Sequence, residues 1–291
     1  MPFFVTDDHV RLYYEVRGKG EPVLLIHGLT ANHRHFKKQT PELAHHFQVI
    51  TLDLRGHGDS EAPEQGLTLP RLAQDVLGFL DYLGLDDLSL VGWSLGAQVI
   101  FEYVKQYSCQ GIEKIVIIEM TPKLLKAADW SYGLPGIISR KAGDFGYEDN
   151  LLMLSAMLGN WETYSRTVVQ RIVNKIPADE AKEFNDQADF LGKEDLPWLY
   201  EEARRNTPHV IVALWISMSL QDYRPVLKDI TAPCLIVCGQ ESNYYPPENY
   251  TYMKDRLPQA RVISFAGCGH APHIQDPEKF NRELLAFLKE E

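Results

Sequence analysis

One stretch of this chain sets a potential nucleophile where chemistry is possible. The apolar run Leu88-Ser89-Leu90-Val91 passes through Gly92-Trp93-Ser94-Leu95-Gly96 into Ala97-Gln98 and a helix-compatible segment. Gly-x-Ser-x-Gly with a strand before it and a helix after it is the context of a strained elbow that lifts the serine hydroxyl clear of a sheet edge. Side chains two residues either side of Ser94 would collide with such a turn, which is a steric reason for Gly92 and Gly96. The start of the helix leaves backbone N–H groups without intrahelical partners, and that of Leu95 can face an oxyanion.

A serine hydroxyl is a poor nucleophile unless a base takes its proton and a third group orients that base. In an α/β sheet both partners must stand on loops at the carboxyl edge where Ser94 emerges. His270, in Gly269-His270-Ala271-Pro272-His273, lies on a loop between the last expected strand and the last expected helix. It is the expected base, with His273 the alternative. His9, His45, His46 and His209 read as surface or helix-boundary residues. His33 and His35 can line a site entrance, but without partnered ligands at defined spacing no metal site is expected.

The elements that must position these groups alternate. Strands are expected at 10–16 (paired with 3–6), 21–26, 49–53, 88–91, 114–119, 234–238 and 261–265. Several are continuous apolar runs, as for strands buried on both faces. Helices are expected over 35–46, from Leu69 to Leu83 on a 3–4 spacing of leucine, valine and phenylalanine, over 97–107, near 248–256, and after the cap-like pair Asp276-Pro277. This alternation argues for an α/β fold, a mostly parallel, doubly wound sheet. Between 120 and 223 the rhythm breaks into helical stretches (149–158, 162–175, 178–191, 196–205, 209–220) with no convincing buried strand. That segment reads as a helical cap inserted into a core made of residues 1–119 and 224–291.

Composition narrows the function. The chain has 291 residues, 29 Lys+Arg against 40 Asp+Glu, and a net charge of −11. Nucleic acid and anionic membrane both call for basic patches and are not expected as partners. No run approaches the roughly 18–20 apolar residues of a membrane span. The start, with neither a basic n-region nor a long apolar stretch, does not read as a signal peptide, so a cytoplasmic location is expected. Cys109, Cys234, Cys238 and Cys268 are too sparse for a disulfide framework and read as buried thiols.

Taken together, His27-Gly28, Asp53-Leu54-Arg55-Gly56-His57-Gly58, Gly92-Trp93-Ser94-Leu95-Gly96 and Gly269-His270 stand in the order found in α/β-hydrolase fold proteins. The chain resembles that family over essentially its whole length. The resemblance implies an eight-stranded sheet, Ser94 as nucleophile, His270 as base, an oxyanion hole from the N–H groups of Leu29 and Leu95, and a helical cap after the sixth strand. It implies a structural role for Arg55 and His57, and no cofactor.

The acid departs from the family pattern. A Gly-x-x-Asp would commonly follow the 234–238 strand, but Gly239-Gln240-Glu241-Ser242 puts serine in that slot, and serine cannot carry the charge that stabilises an imidazolium. Glu241 or Glu248 can reach in from the same region. The acid can be absent, leaving a non-catalytic ligand-binding protein. Or it can stand at the end of the preceding core strand, at Glu119, a placement similar to that in some haloalkane dehalogenases. Glu119 is the acid expected here.

Serine rather than aspartate at position 94 points to acyl transfer, hence to a small-molecule ester, thioester or lactone. The expected function is hydrolysis of carboxylic esters with an apolar acyl or alcohol part, with a lactonase or a cofactor-free haloperoxidase-like perhydrolase as alternatives. Trp93 and Trp215 are the expected pocket residues, with the apolar helix around Trp215 as the roof. No basic cluster recommends a CoA or phosphate-bearing substrate, so a neutral ester is expected.

Overall fold

The computed structural model of the protein describes residues 2–173 and 195–290. The helix expected over 178–191 lies outside them. Eight strands form one sheet: β1 (Phe3–Val5), β2 (Arg11–Arg17), β3 (Pro22–Ile26), β4 (Gln48–Leu52), β5 (Leu88–Trp93), β6 (Ile112–Ile118), β7 (Cys234–Gly239) and β8 (Ala260–Phe265). Their order is β1-β2-β4-β3-β5-β6-β7-β8. β1 and β2 join antiparallel, and everything from β4 through β8 is parallel.

The apolar strands alternate cleanly between two cores, because successive residues of a strand point to opposite faces. Leu24, Ile26, Leu90, Ile115, Ile117 and Ile236 enter one core, together with helices α2 (Leu69–Leu83) and α3 (Leu95–Tyr107). Val23, Leu25, Val91, Val116, Ile118, Leu235 and Val237 enter the other, with α1 (Thr40–Leu43) and the terminal helix. α2 begins where the Thr68 hydroxyl accepts the Arg71 N–H, and it ends at Gly84 in the left-handed conformation. The 35–46 stretch is not one helix. A 3₁₀ turn over His33–Phe36 gives way to the four-residue α1. Pro41 lies in the first turn of α1, where its missing N–H costs nothing; inside a longer helix it would break the ladder.

Between β6 and β7 come α4 (Tyr147–Gly159), α5 (Trp161–Val173), α6 (Asp195–Arg204) and α7 (Pro208–Ser219), with no strand among the described residues of this segment. α4 packs on α7 and α5 on α6. After β7 follow α8 (Pro247–Lys254), α9 (Pro272–Gln275) and α10 (Pro277–Leu288), the last capped by the Asp276 side chain. No described helix is long and apolar enough to cross a membrane. All four cysteines are buried and free.

Six histidines lie buried among the described residues, His27, His33, His35, His57, His270 and His273. For four of them burial lowers the imidazole pKa: His27 and His273 lie well below the usual range, His57 at about 4 and His35 at about 3. Each stays neutral in the folded protein at a pH where the unfolded chain is protonated. Stability is therefore full above the unfolded imidazole pKa of about 6.5 and falls as pH drops, most steeply from there to about pH 4. Neither ring nitrogen of His273 has a hydrogen-bond partner among the described residues. In His273→Leu, denaturant unfolding measured across this range should show a loss of stability shallower by up to about 1.4 kcal/mol per pH unit.

Candidate active site

β5 ends at Trp93 and α3 starts at Leu95, so Ser94 alone makes the turn. Its φ of 53° and ψ of −112° lie outside the conformations a side-chain-bearing residue ordinarily adopts. Its N–H donates to the Ile118 carbonyl at 2.9 Å, and its own carbonyl accepts from Ala97 at 3.0 Å. A Cβ on Gly92 would stand 2.6 Å from the Ala97 nitrogen and the Gly96 carbonyl, so this glycine is demanded by the turn itself. Gly96 has a different constraint: a Cβ there would run into the Ile26 and His27 carbonyls at the end of β3.

One strand over, β6 ends at Ile118, and the next residue, Glu119, also has positive φ (49°). The β6–β7 register, Ile118 opposite Val237, brings it beside the end of β7. Its carboxylate is fully buried. Oε2 lies 3.0 Å from His270 Nδ1 and accepts the Ser242 hydroxyl at 2.6 Å. Oε1 accepts the Gly239 N–H at 2.8 Å and the Tyr250 hydroxyl at 2.7 Å. Burial, together with the Glu119 charge, holds the Tyr250 phenol well above its usual range, so it remains a donor. Ser242, the serine of the 239–242 segment, therefore donates to the Glu119 carboxylate. Glu241 and Glu248 are exposed, and among the described residues the carboxylate on His270 is Glu119's.

His270 is held along its backbone as well. Its N–H donates to the Ile172 carbonyl at 2.9 Å, and its carbonyl accepts Trp93 Nε1–H at 2.8 Å. Its ring stacks on Tyr244 with centroids 3.9 Å apart. His273 sits edge-on to Trp93 in the core, outside the cavity that His270 lines.

The loop after β3 abuts Ser94: a Cβ on Gly28 would stand 3.3 Å from the Ser94 Cβ. His27 fixes this loop, donating through Nδ1 to the Gly28 carbonyl at 2.8 Å and accepting the Leu54 N–H at Nε2 (3.0 Å). Leu29 and Thr30 line the cavity, Thr30 at a φ of 66° that is strained for a β-branched residue. Leu95 opens α3, so its N–H has no acceptor within the helix.

Ser94, Trp93, Leu29 and His270 border a cavity of about 330 Å³. The helices between β6 and β7 complete it with Met153 and Met157 from α4, Tyr164, Val168 and Ile172 from α5, and Ile211, Trp215 and Met218 from α7. Trp215 is oriented by its Nε1–H, which donates to Asn150 Oδ1 at 2.7 Å. Trp93 both lines the cavity and braces the His270 loop.

His33 and His35 are not at this entrance, contrary to expectation. His33 Nδ1 is drawn to the buried Asp53 carboxylate at 2.9 Å, and His35 is packed between Trp93 and Trp198. His33, Asp53 and Asp59 bring ligand-type atoms within 4.8 Å of one another. The Asp53 oxygens there already accept the His33 N–H, the His33 ring and the Asp59 N–H, so the cluster is a hydrogen-bonded loop brace. Arg55 is fully buried and paired with Asp75 at 2.6 Å and Asp8 at 3.0 Å, a structural placement. Sequence reasoning missed Tyr244, Tyr250 and the donor role of Ser242. The last had one signal, the substituted acid slot itself.

The sheet order, the elbow at the end of β5 and the loop carrying His270 define a class. The chain belongs to the alpha/beta hydrolase fold family, whose profile matches residues 21–277. It is 25% identical over 287 residues to the AB hydrolase superfamily protein YisY of Bacillus subtilis, spanning 98% of each chain. It is 26% identical to a pimeloyl-[acyl-carrier protein] methyl ester esterase of Nitrosomonas europaea, over 92% of this chain and 96% of that one. Among solved structures, the esterase EaEST of Exiguobacterium antarcticum superposes with a TM-score of 0.85 over 99% of both chains at 21% identity, a likeness of fold.

Because a methyl at position 96 meets backbone that cannot move independently of the sheet, Gly96→Ala should destabilise the protein by about 3 kcal/mol. Thermal or denaturant unfolding measures this, and an unchanged midpoint would contradict the close approach of α3 to β3.

Proposed function

We propose that the protein is a serine hydrolase of carboxylic esters with an apolar acyl or alcohol part, acting through an acyl-enzyme. The observation that carries this reading is the buried Glu119–His270 pair, 3.0 Å apart, with His270 lining the same cavity as Ser94. Glu119 holds the proton on Nδ1, leaving Nε2 to take the Ser94 proton as Oγ attacks the substrate carbonyl. The N–H groups of Leu29 and Leu95 stabilise the oxyanion. The imidazolium then gives its proton to the departing alcohol, and water activated by the same base releases the acid. The relative named for a methyl ester hydrolysis supports the ester class.

Turnover of p-nitrophenyl esters of increasing chain length tests the reading. Ser94→Ala should abolish it and also abolish labelling by a fluorophosphonate. Glu119→Gln should lower kcat by about 10³–10⁴-fold, as removal of the orienting charge does in such triads. Glu241→Gln, an exposed site, should stay within about twofold. If Glu241→Gln were the damaging change, the acid role would pass to it; if the unaltered protein neither turned over nor labelled, the enzyme reading would fall.

The hydrogen bond from Ser242 to Glu119 adds a sharper expectation. Ser242→Asp alone should impair the enzyme, because two carboxylates this close do not both ionise freely. In a Glu119→Ala background the same Ser242→Asp should instead recover part of kcat. A double variant no better than Glu119→Ala would show that position 242 cannot serve His270.

A further inference from the structure

The cavity wall has a charge pattern at odds with the protein as a whole. The chain carries a net charge of −11. Yet the described residues lining the cavity include two arginines, Arg140 and Arg171, and no carboxylate. Such a local reversal of sign attracts an anion that the remaining surface repels.

Arg171 is placed by helix geometry. Tyr164, Thr167, Val168 and Arg171 recur along α5 at intervals of three and four residues, which puts them on one face, and all four line the cavity. The stripe runs from the apolar interior to an exposed guanidinium. Other arginines of the insertion are taken up by carboxylates, Arg166 by Glu162 and Arg204 by Glu201, while no described carboxylate pairs with Arg171. Its charge is felt at two cavity hydroxyls. Burial raises the Tyr164 phenol and pushes that of Tyr244 up to about 12, and Arg171 partly offsets both rises. Both hydroxyls therefore stay protonated at neutral pH and remain donors on the cavity wall.

We propose that Arg171 forms an anion subsite, so that the preferred substrate is an ester carrying a carboxylate at a remove from its scissile carbonyl, with an apolar chain between the two. This rests on the ester-hydrolase reading above and replaces the neutral ester expected from sequence. A planar guanidinium binds a carboxylate through two parallel hydrogen bonds, and the apolar walls between Arg171 and Ser94 suit a methylene spacer.

The test compares esters matched except for charge: monoethyl esters of dicarboxylic acids of increasing length against ethyl esters of the corresponding monocarboxylic acids, followed by titration of the released acid. At one chain length the charged ester should have the higher kcat/KM. In Arg171→Gln the charged-to-neutral ratio should fall by about tenfold, the scale of one charged hydrogen bond. Arg171→Lys should retain part of the preference, and added salt should erode it. A ratio that never favours the charged ester, or that is the same in Arg171→Gln, overturns the proposal. Calorimetric titration of Ser94→Ala with the free dicarboxylates separates the two readings. Binding that weakens on adding Arg171→Gln, without turnover of any ester by the unaltered protein, upholds the anion subsite and removes the ester-hydrolase reading. Ester turnover with neither charge preference nor dicarboxylate binding does the reverse.

Discussion

A carboxylate with no solvent exposure is tolerated only if its lost hydration is replaced by hydrogen bonds, and Glu119 is such a group. Its replacements come from four places: the end of β7 (Gly239), the loop beyond it (Ser242), α8 (Tyr250) and the loop before α9 (His270). Each donor is correctly placed only if β6 and β7 are adjacent, parallel and in the observed register. Strand order, loop conformation and helix docking thus converge on one anion. The positive φ at both Ser94 and Glu119 shows how sharply the chain must turn at the ends of neighbouring strands to bring the two side chains to one edge.

The helices between β6 and β7 do more than roof the cavity. The last residues of α5 hold the loop that carries His270: the Ile172 carbonyl accepts the His270 N–H, and the Val173 carbonyl accepts Gln275 Nε2–H at 3.2 Å. Gln275 in turn accepts the Gly269 N–H at 2.8 Å. From the opposite side, Trp93 grips the His270 carbonyl. His270 is therefore suspended between α5 and the residue next to the elbow, and a change in how α5 sits would be transmitted to the imidazole through two hydrogen bonds to α5 carbonyls, one from the His270 N–H and one from the Gln275 side chain.

Much of this was legible in sequence because it follows from local pattern. Short apolar runs rich in β-branched residues, such as Val23–Ile26 and Ile115–Ile118, read as strands buried on both faces, and the glycines around Ser94 carry the turn in their spacing. Glu119 was legible because a carboxylate ending an apolar strand has nowhere exposed to go. What escaped depends on distance along the chain. That Ser242 bonds a residue 123 positions earlier, or that Tyr250 rather than a neighbouring tyrosine turns inward from α8, is decided by packing. The His33–Asp53 bond likewise joins two loops and removes His33 from the cavity entrance. The break in the 35–46 stretch was written in Pro41, but a proline marks a helix start as readily as an end.

Placing the charge on β6 also changes what the loop after β7 is free to do. Here it contributes a single hydroxyl to Glu119, and the next three residues, Asn243, Tyr244 and Tyr245, turn to the cavity wall. The segment becomes part of the cavity wall, with the ring of Tyr244 shared between the imidazole and the cavity. The loop after β7 and the loop before α9 are far apart along the chain yet meet at one face of one ring.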